Sequence, residues 1–142
     1  MNPISDKAEI KELIQQLANA HADRNATAIV EAHVQGAVIY DLASPLWNCR
    51  MKCDSVAAWL SEWDGAIRID AQNIKINVKC DLAFATSLNR IQGQKDGGPL
   101  ELWYRSTICL RKSKGRWRIV HDHSSMPFFM DGSYRAAIGL QP

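Results

Sequence analysis

Between Ile10 and His21 the apolar positions Ile10, Leu13, Ile14, Leu17 and Ala18 recur every three or four residues, the pattern of a helix with one buried face. Ser5-Asp6-Lys7-Ala8-Glu9 precedes it, so Ser5 or Asp6 supplies a cap, acids fill the first turn, and the helix runs to about Arg24. Asn25 then caps a shorter second helix carrying Ile29, Val30 and His33, which Gly36 ends. Ala37–Leu42 is a short β-type run closed by Ser44-Pro45. Leu46 to Cys53 is a loop, and Asp54 predicts the cap of a third helix with Val56, Ala57, Trp59, Leu60 and Trp63, stopped by Gly65.

After Ile67 the period changes to two. Ile74, Ile76, Val78 and Cys80 alternate with Lys75, Asn77 and Lys79, which predicts a strand with one apolar face. Leu82 to about Gln94 forms the next strand, and Asp96-Gly97-Gly98 is a hairpin signal. Leu100–Arg111 and Arg116–Ser124 complete a four-strand meander, joined by a turn over Lys112 to Gly115. Residues from Met126 onward carry Pro127, Gly132 and Gly139 and predict an irregular tail. Helices grouped before a meander give an α+β class, a cone-shaped curved antiparallel sheet packed on N-terminal helices. The concave side of such a sheet is where a pocket forms. One domain over residues 1–142, with 126–142 as its tail, accounts for the length.

The apolar share of 46% and charged share of 23% are those of an ordinary globular domain. With 17 basic and 15 acidic side chains, the net charge of +2 gives no nucleic-acid footprint, and the basic run from Arg111 to Arg116 belongs to a solvated turn. No stretch is apolar and long enough to span a membrane, and no secretory leader opens the chain. Cys80 and Cys109 fall in strand patterns as small core residues. Cys49 and Cys53 have neither the redox nor the zinc-knuckle spacing, so a reducing cytoplasm is the expected compartment.

The densest chemistry lies near the C-terminus. Strict alternation from Arg116 puts Trp117, Ile119, His121 and His123 on one face, and Arg116, Arg118, Val120, Asp122 and Ser124 on the other. The arginines belong outside, so both imidazoles are expected in the concave interior. There they serve either as an acid–base pair or as hydrogen-bonded structural residues. Metal binding through them would need Asp41 and His33 as further ligands, so no metal and no cofactor is expected.

The run Trp117, Val120, His121, His123, Ser125 and Pro127 resembles the last strand of the nuclear transport factor 2-like superfamily. It is most similar to the SnoaL-like branch and to the association domain of calcium/calmodulin-dependent protein kinases. The likeness extends in element order from Ala8 to Phe128 and implies a cystatin-like α+β barrel. That fold hosts isomerases, dehydratases, cyclases and non-catalytic hubs. Asp41, after Ala37-Val38-Ile39-Tyr40, is similar in position to the general base of ketosteroid isomerases. The resemblance thus implies a base at the pocket mouth, against the plainer reading of a turn-capping aspartate. The oxyanion donors of those enzymes are missing: their places fall on Leu17 and near Thr107. Donors would then be Tyr40, Tyr104, His121 or His123.

Trp47, Trp59, Trp63 and Trp117 are candidate walls for a flat apolar ligand, with Trp59 and Trp63 on one helix face, though core packing accounts for each singly. Arg90, which alternates with Phe84, Thr86 and Leu88, either holds a ligand carboxylate or faces a dimer partner. Leu102, Tyr104, Ser106, Ile108 and Leu110 form the pocket side of their strand. Trp103, Arg105, Thr107 and Cys109 form a mixed outer face, where a homodimer is expected. Two functions follow as expectations. One is an enzyme without metal that abstracts a proton beside the carbonyl of an apolar or aromatic substrate, with Asp41 as base and His121 and His123 assisting. The other is a ligand-binding or oligomerisation domain without chemistry.

Overall fold

The computed structural model describes residues 4–142. The elements are α1 (Asp6–Ala22), α2 (Ala26–Glu31), β1 (His33–Tyr40), α3 (Cys53–Ser61), β2 (Trp63–Lys79), β3 (Leu82–Lys95), β4 (Gly98–Ser113) and β5 (Arg116–Ser125). The α+β class and the element order are those the hydrophobic pattern predicts. Ser5 caps α1, its hydroxyl accepting the Ala8 N–H at 3.2 Å, and Asn25 caps α2 by accepting the Ala28 N–H at 3.1 Å. No described helix is long and apolar enough to cross a membrane.

Several boundaries differ from expectation, and glycine explains two of them. Gly36 does not stop α2; it sits inside β1 at φ 81°, where β1 shifts register between His33 and Val38. His33 is therefore the first residue of a strand. Gly65, likewise at positive φ, lies inside β2 rather than at the end of α3, so Trp63 leaves the helix and opens that strand. α3 begins at Cys53, before Asp54: the Ser55 hydroxyl accepts the Lys52 N–H at 3.3 Å and closes the first turn. Cys80 lies in an exposed turn at φ 54°, not in the core.

The sheet order is β1-β5-β4-β3-β2, with β1 parallel to β5 and every other pair antiparallel. Two of the three tight hairpins, those at Asp96-Gly97 and Lys114-Gly115, turn with both residues at positive φ, the geometry that matches strand twist. One face of the sheet carries two apolar clusters. Ile10 of α1 packs with Ala83, Ala85, Ile108, Leu110, Trp117 and Ile119; Ala20 and Ile29 pack with Leu60, Trp63, Ile67 and Ile91. Trp117 belongs to the first cluster, and its Nε1–H donates to Asp6 at 3.0 Å, while the Lys112 ammonium donates to the same oxygen at 2.8 Å. These bonds fasten the start of α1 to the far end of the sheet. Arg24, just past α1, donates to the carbonyls of Trp63 and Gly65 and fastens the other end.

Candidate functional site

Between the two apolar clusters the helix-facing side of the sheet turns polar. On β3 the inward residues run Ala83, Ala85, Ser87, Asn89, Ile91; opposite them on β4 stand Leu110, Ile108, Ser106, Tyr104 and Leu102. The ends of both rows belong to the clusters; in the middle, Ser87, Asn89 and Ser106 do not, and Tyr104 packs against the second cluster. Small and polar side chains at the centre cannot fill the space that Leu or Phe would fill. Ser87, Asn89 and Tyr104 are half-buried. They are joined in order: the Ser87 hydroxyl donates to Asn89 Oδ1 at 2.7 Å, and Asn89 Nδ2–H donates to the Tyr104 oxygen at 3.4 Å. Tyr104 thus accepts from Asn89 and keeps its own O–H to donate onward. Burial, reinforced by the charges of Asp122 and Asp41 and opposed by the Asn89 bond, pushes its phenol up to about 12. It is a neutral donor at any physiological pH.

Asp122 enters this seam through a β-bulge. β5 is in regular register with β4 up to Leu110↔Ile119, and the next pair is Cys109↔His121, so Val120 is an extra residue. Beyond it the faces exchange. Asp122 stands opposite Ile108 on one side and Ile39 on the other, both buried and inward, with 27% of its own side chain exposed. His33 approaches from the start of β1. Its Nδ1–H donates to the Ile29 carbonyl at 2.8 Å, and its Nε2 lies 3.7 Å from Asp122 Oδ2. Nε2 is buried and has no hydrogen-bond partner among the described residues. His21, on the last turn of α1, donates Nδ1–H to the Leu17 carbonyl at 2.7 Å and meets Trp59 edge-on at 5.9 Å. Burial holds its imidazole below the usual histidine range and nearby His33 adds to this, while the Leu17 carbonyl and the Asp122 carboxylate oppose it.

The bulge also overturns the expected position of the paired histidines. His121 faces Val38 and Cys109, and His123 faces Tyr40 and Thr107, all on the side away from the helices. Tyr40 meets the two rings edge-on at 4.8 and 5.1 Å, and His121 Nδ1–H donates to the Val38 carbonyl at 2.7 Å. Tyr40, His121 and His123 therefore form an aromatic group on the outer face rather than lining the interior. Arg90 is also outside: it donates to Asp70 at 3.2 Å and lies 5.5 Å above the Trp103 ring, so it is engaged within the sheet and does not meet an interior ligand. Asp41 is exposed one residue past β1, and its carboxylate accepts the Leu42 N–H at 2.7 Å. Trp47 is exposed on the following loop. Trp59 and Trp63 still meet edge-on at 6.0 Å, although they come from different elements.

Of the residues singled out from the sequence, the fold brings Tyr104, Trp59 and Trp63 to the helix-facing side, with Trp117 in the core at its far end. Asp122, Asn89 and His21 were missed, and His33 was noticed only as a spare ligand. Among the described residues, two clefts flank this seam. One of about 590 Å³ runs between α1, α2 and the β4–β5 turn, floored by Leu13, Ala28 and Trp117. The other, of about 270 Å³, opens along β1 and is lined in part by His33, Ala37 and Met51.

The model of a SnoaL-like domain matches residues 10–129. No curated protein matches the chain. A nuclear transport factor 2-like protein of unknown function from Pseudomonas putida shares 25% identity, with 99% of this chain and 100% of that one covered at a TM-score of 0.82. A calcium/calmodulin-dependent protein kinase II association-domain-like protein from Xanthomonas campestris is similar over 87% of this chain and 90% of its own, at 17% identity and a TM-score of 0.74. A ketosteroid isomerase-like protein from Shewanella frigidimarina covers 80% of this chain and 92% of its own, at 21% identity and a TM-score of 0.63. These likenesses bear out the cystatin-like α+β architecture expected from the last strand.

Proposed function

The chain belongs to the SnoaL-like domain family, and from that premise we propose that it is an enzyme moving a proton beside the carbonyl group of a small, largely apolar molecule. One observation carries this reading: Nε2 of His33, which has no hydrogen-bond partner among the described residues, and the Asp122 carboxylate lie 3.7 Å apart in a seam that also holds the protonated Tyr104 hydroxyl. The carboxylate takes the proton from carbon, and the electron pair moves onto the carbonyl oxygen. Tyr104 O–H steadies that oxygen as its negative charge develops. The proton, shared between Asp122 and His33, then returns to another carbon in an isomerisation or leaves with an expelled hydroxide as water in a dehydration. Trp59 and Trp63 form the apolar wall beside which a flat substrate rests. Asp41, outside the seam, acts on the reaction only through its charge on Tyr104.

Solvent-deuterium exchange at the carbon next to the carbonyl, followed by proton NMR on a panel of aromatic ketones, tests this. The intact protein accelerates exchange. Asp122→Asn lowers the rate by roughly 100-fold or more, and Tyr104→Phe by about as much. If Asp41→Asn abolishes exchange while Asp122→Asn leaves it intact, the base is Asp41 and this assignment is wrong. The likeness to the kinase association domain favours a second reading, an assembly domain whose oligomer size responds to ligand. Light scattering with and without the ketones checks it, and an unchanged mass counts against it.

A further inference from the structure

The larger of the two clefts, about 590 Å³ between α1, α2 and the β4–β5 turn, has an apolar floor and a charged rim. Leu13 of α1 and Ala28 of α2, both half-buried, form the floor with Trp117, whose indole is held by its bond to Asp6. Three carboxylates stand around it: Glu9 and Glu12, one turn apart on α1, and Glu31 at the end of α2. Among the described residues Arg116, on the turn, is the only cation in the lining. The rim is therefore negative on a chain whose net charge is +2. Neighbouring cations do little to cancel it. Lys112 stands 4.0 Å from Glu9 but is bonded to Asp6 at 2.8 Å, and among the described residues neither Glu12 nor Glu31 forms an ion pair. Glu12 accepts the neutral Gln16 amide at 3.3 Å.

An anion entering this cleft would meet like charge. A wholly apolar body would displace water from the carboxylates and offer them nothing in return. A cation carried on an apolar body satisfies rim and floor together, and the volume lies in the range of small-molecule sites, about 300–1,000 Å³. We propose that this cleft is a binding site for a small apolar amine, its ammonium among Glu9, Glu12 and Glu31 and its body on Leu13, Ala28 and Trp117. Glu12 and Glu31 are both exposed, so the ammonium keeps part of its water and the pairs form without the full cost of burying a charge. The site is separate from the seam, since none of Tyr104, Asp122 and His33 lines it.

Three probes of one length, 4-phenylbutylamine, 4-phenylbutanol and 4-phenylbutyrate, carry a positive, a neutral and a negative head at neutral pH. Titrations of isotope-labelled protein, followed by amide chemical shifts, report both affinity and position. Shifts are expected on α1, α2 and the β4–β5 turn. The amine should bind roughly tenfold more tightly than the alcohol, the effect of two or three partly exposed ion pairs, and the butyrate more weakly than either. Added salt should close most of that gap, because the pairs stand near solvent. Glu12→Gln together with Glu31→Gln should bring the amine to within about threefold of the alcohol and leave the circular dichroism unchanged, both positions being exposed. Arg116→Gln should tighten amine binding about two- to threefold. Equal affinity for the three probes, or a double variant that keeps the whole preference, overturns the charge assignment. Binding of none of them, or shifts confined to other elements, overturns the site itself.

Discussion

Tyr104 stands on the side of β4 that alternation predicts, and its titration is measurable without a substrate. A tyrosine in the unfolded chain ionises near 10, whereas the folded phenol ionises at about 12. Between those values the folded state binds more protons than the unfolded one, so stability falls as pH rises through this window. Denaturant melts from pH 9 to 12 should lose roughly 2 kcal/mol that Tyr104→Phe does not lose. Equal losses in both proteins would place the phenol in water. Tyr104 was legible because simple alternation holds along β4 from Leu102 to Leu110. His33 was not, because the same apolar period that makes α2 runs through it, and only Gly36 could have marked the change to strand. Glycine ends helices and bends strands alike, and this one does the latter.

The bulge at Val120 decides which side chains of β5 reach the interior. Valine is apolar and β-branched, so it breaks no pattern, and nothing in the run Ile119-Val120-His121 marks the exchange of faces. Two hairpins, by contrast, were legible to within two residues, since Asp96-Gly97 and Lys114-Gly115 need left-handed backbone that few other pairs supply, whereas the Cys80-Asp81 turn carries no glycine and its Cys80 was read as strand. A parity argument therefore holds only from a turn to the next bulge, and here it carried from Arg116 as far as Ile119. Removing Val120 restores strict alternation, driving His121 and His123 inward and Asp122 out. The deletion should cost about as much as a large core truncation, 2–5 kcal/mol by denaturant melts, and abolish ketone exchange in whatever remains folded. A deletion variant of native stability that keeps its exchange activity would mean that Asp122 does not owe its position to the bulge.

The molecule has two unlike faces on one sheet. The helix-facing side is closed by α1, α2 and α3 around the polar seam. The other carries Leu82 and Phe84, both about half exposed, with Leu88, Trp103, Val38, Tyr40 and the two imidazoles. One of its charges is neutralised within the chain: Arg90 is bonded to Asp70 and stands 4.0 Å from Glu101. Such a surface gains by burial, and we propose that a second copy of the chain covers it in a two-fold dimer. A stable contact needs about 800 Å² from each partner, which a five-stranded face of this length can offer. Sedimentation should give twice the chain mass of 15.9 kDa at micromolar concentration. Phe84→Asp together with Leu88→Arg should yield monomers with an unchanged circular dichroism spectrum, because neither side chain belongs to the two apolar clusters. The seam lies on the opposite side of the sheet, so these monomers should keep ketone exchange. A doubly substituted chain that still sediments as a dimer would move the contact to another surface, and the helix-side cleft between α1 and α2 would be the next to probe.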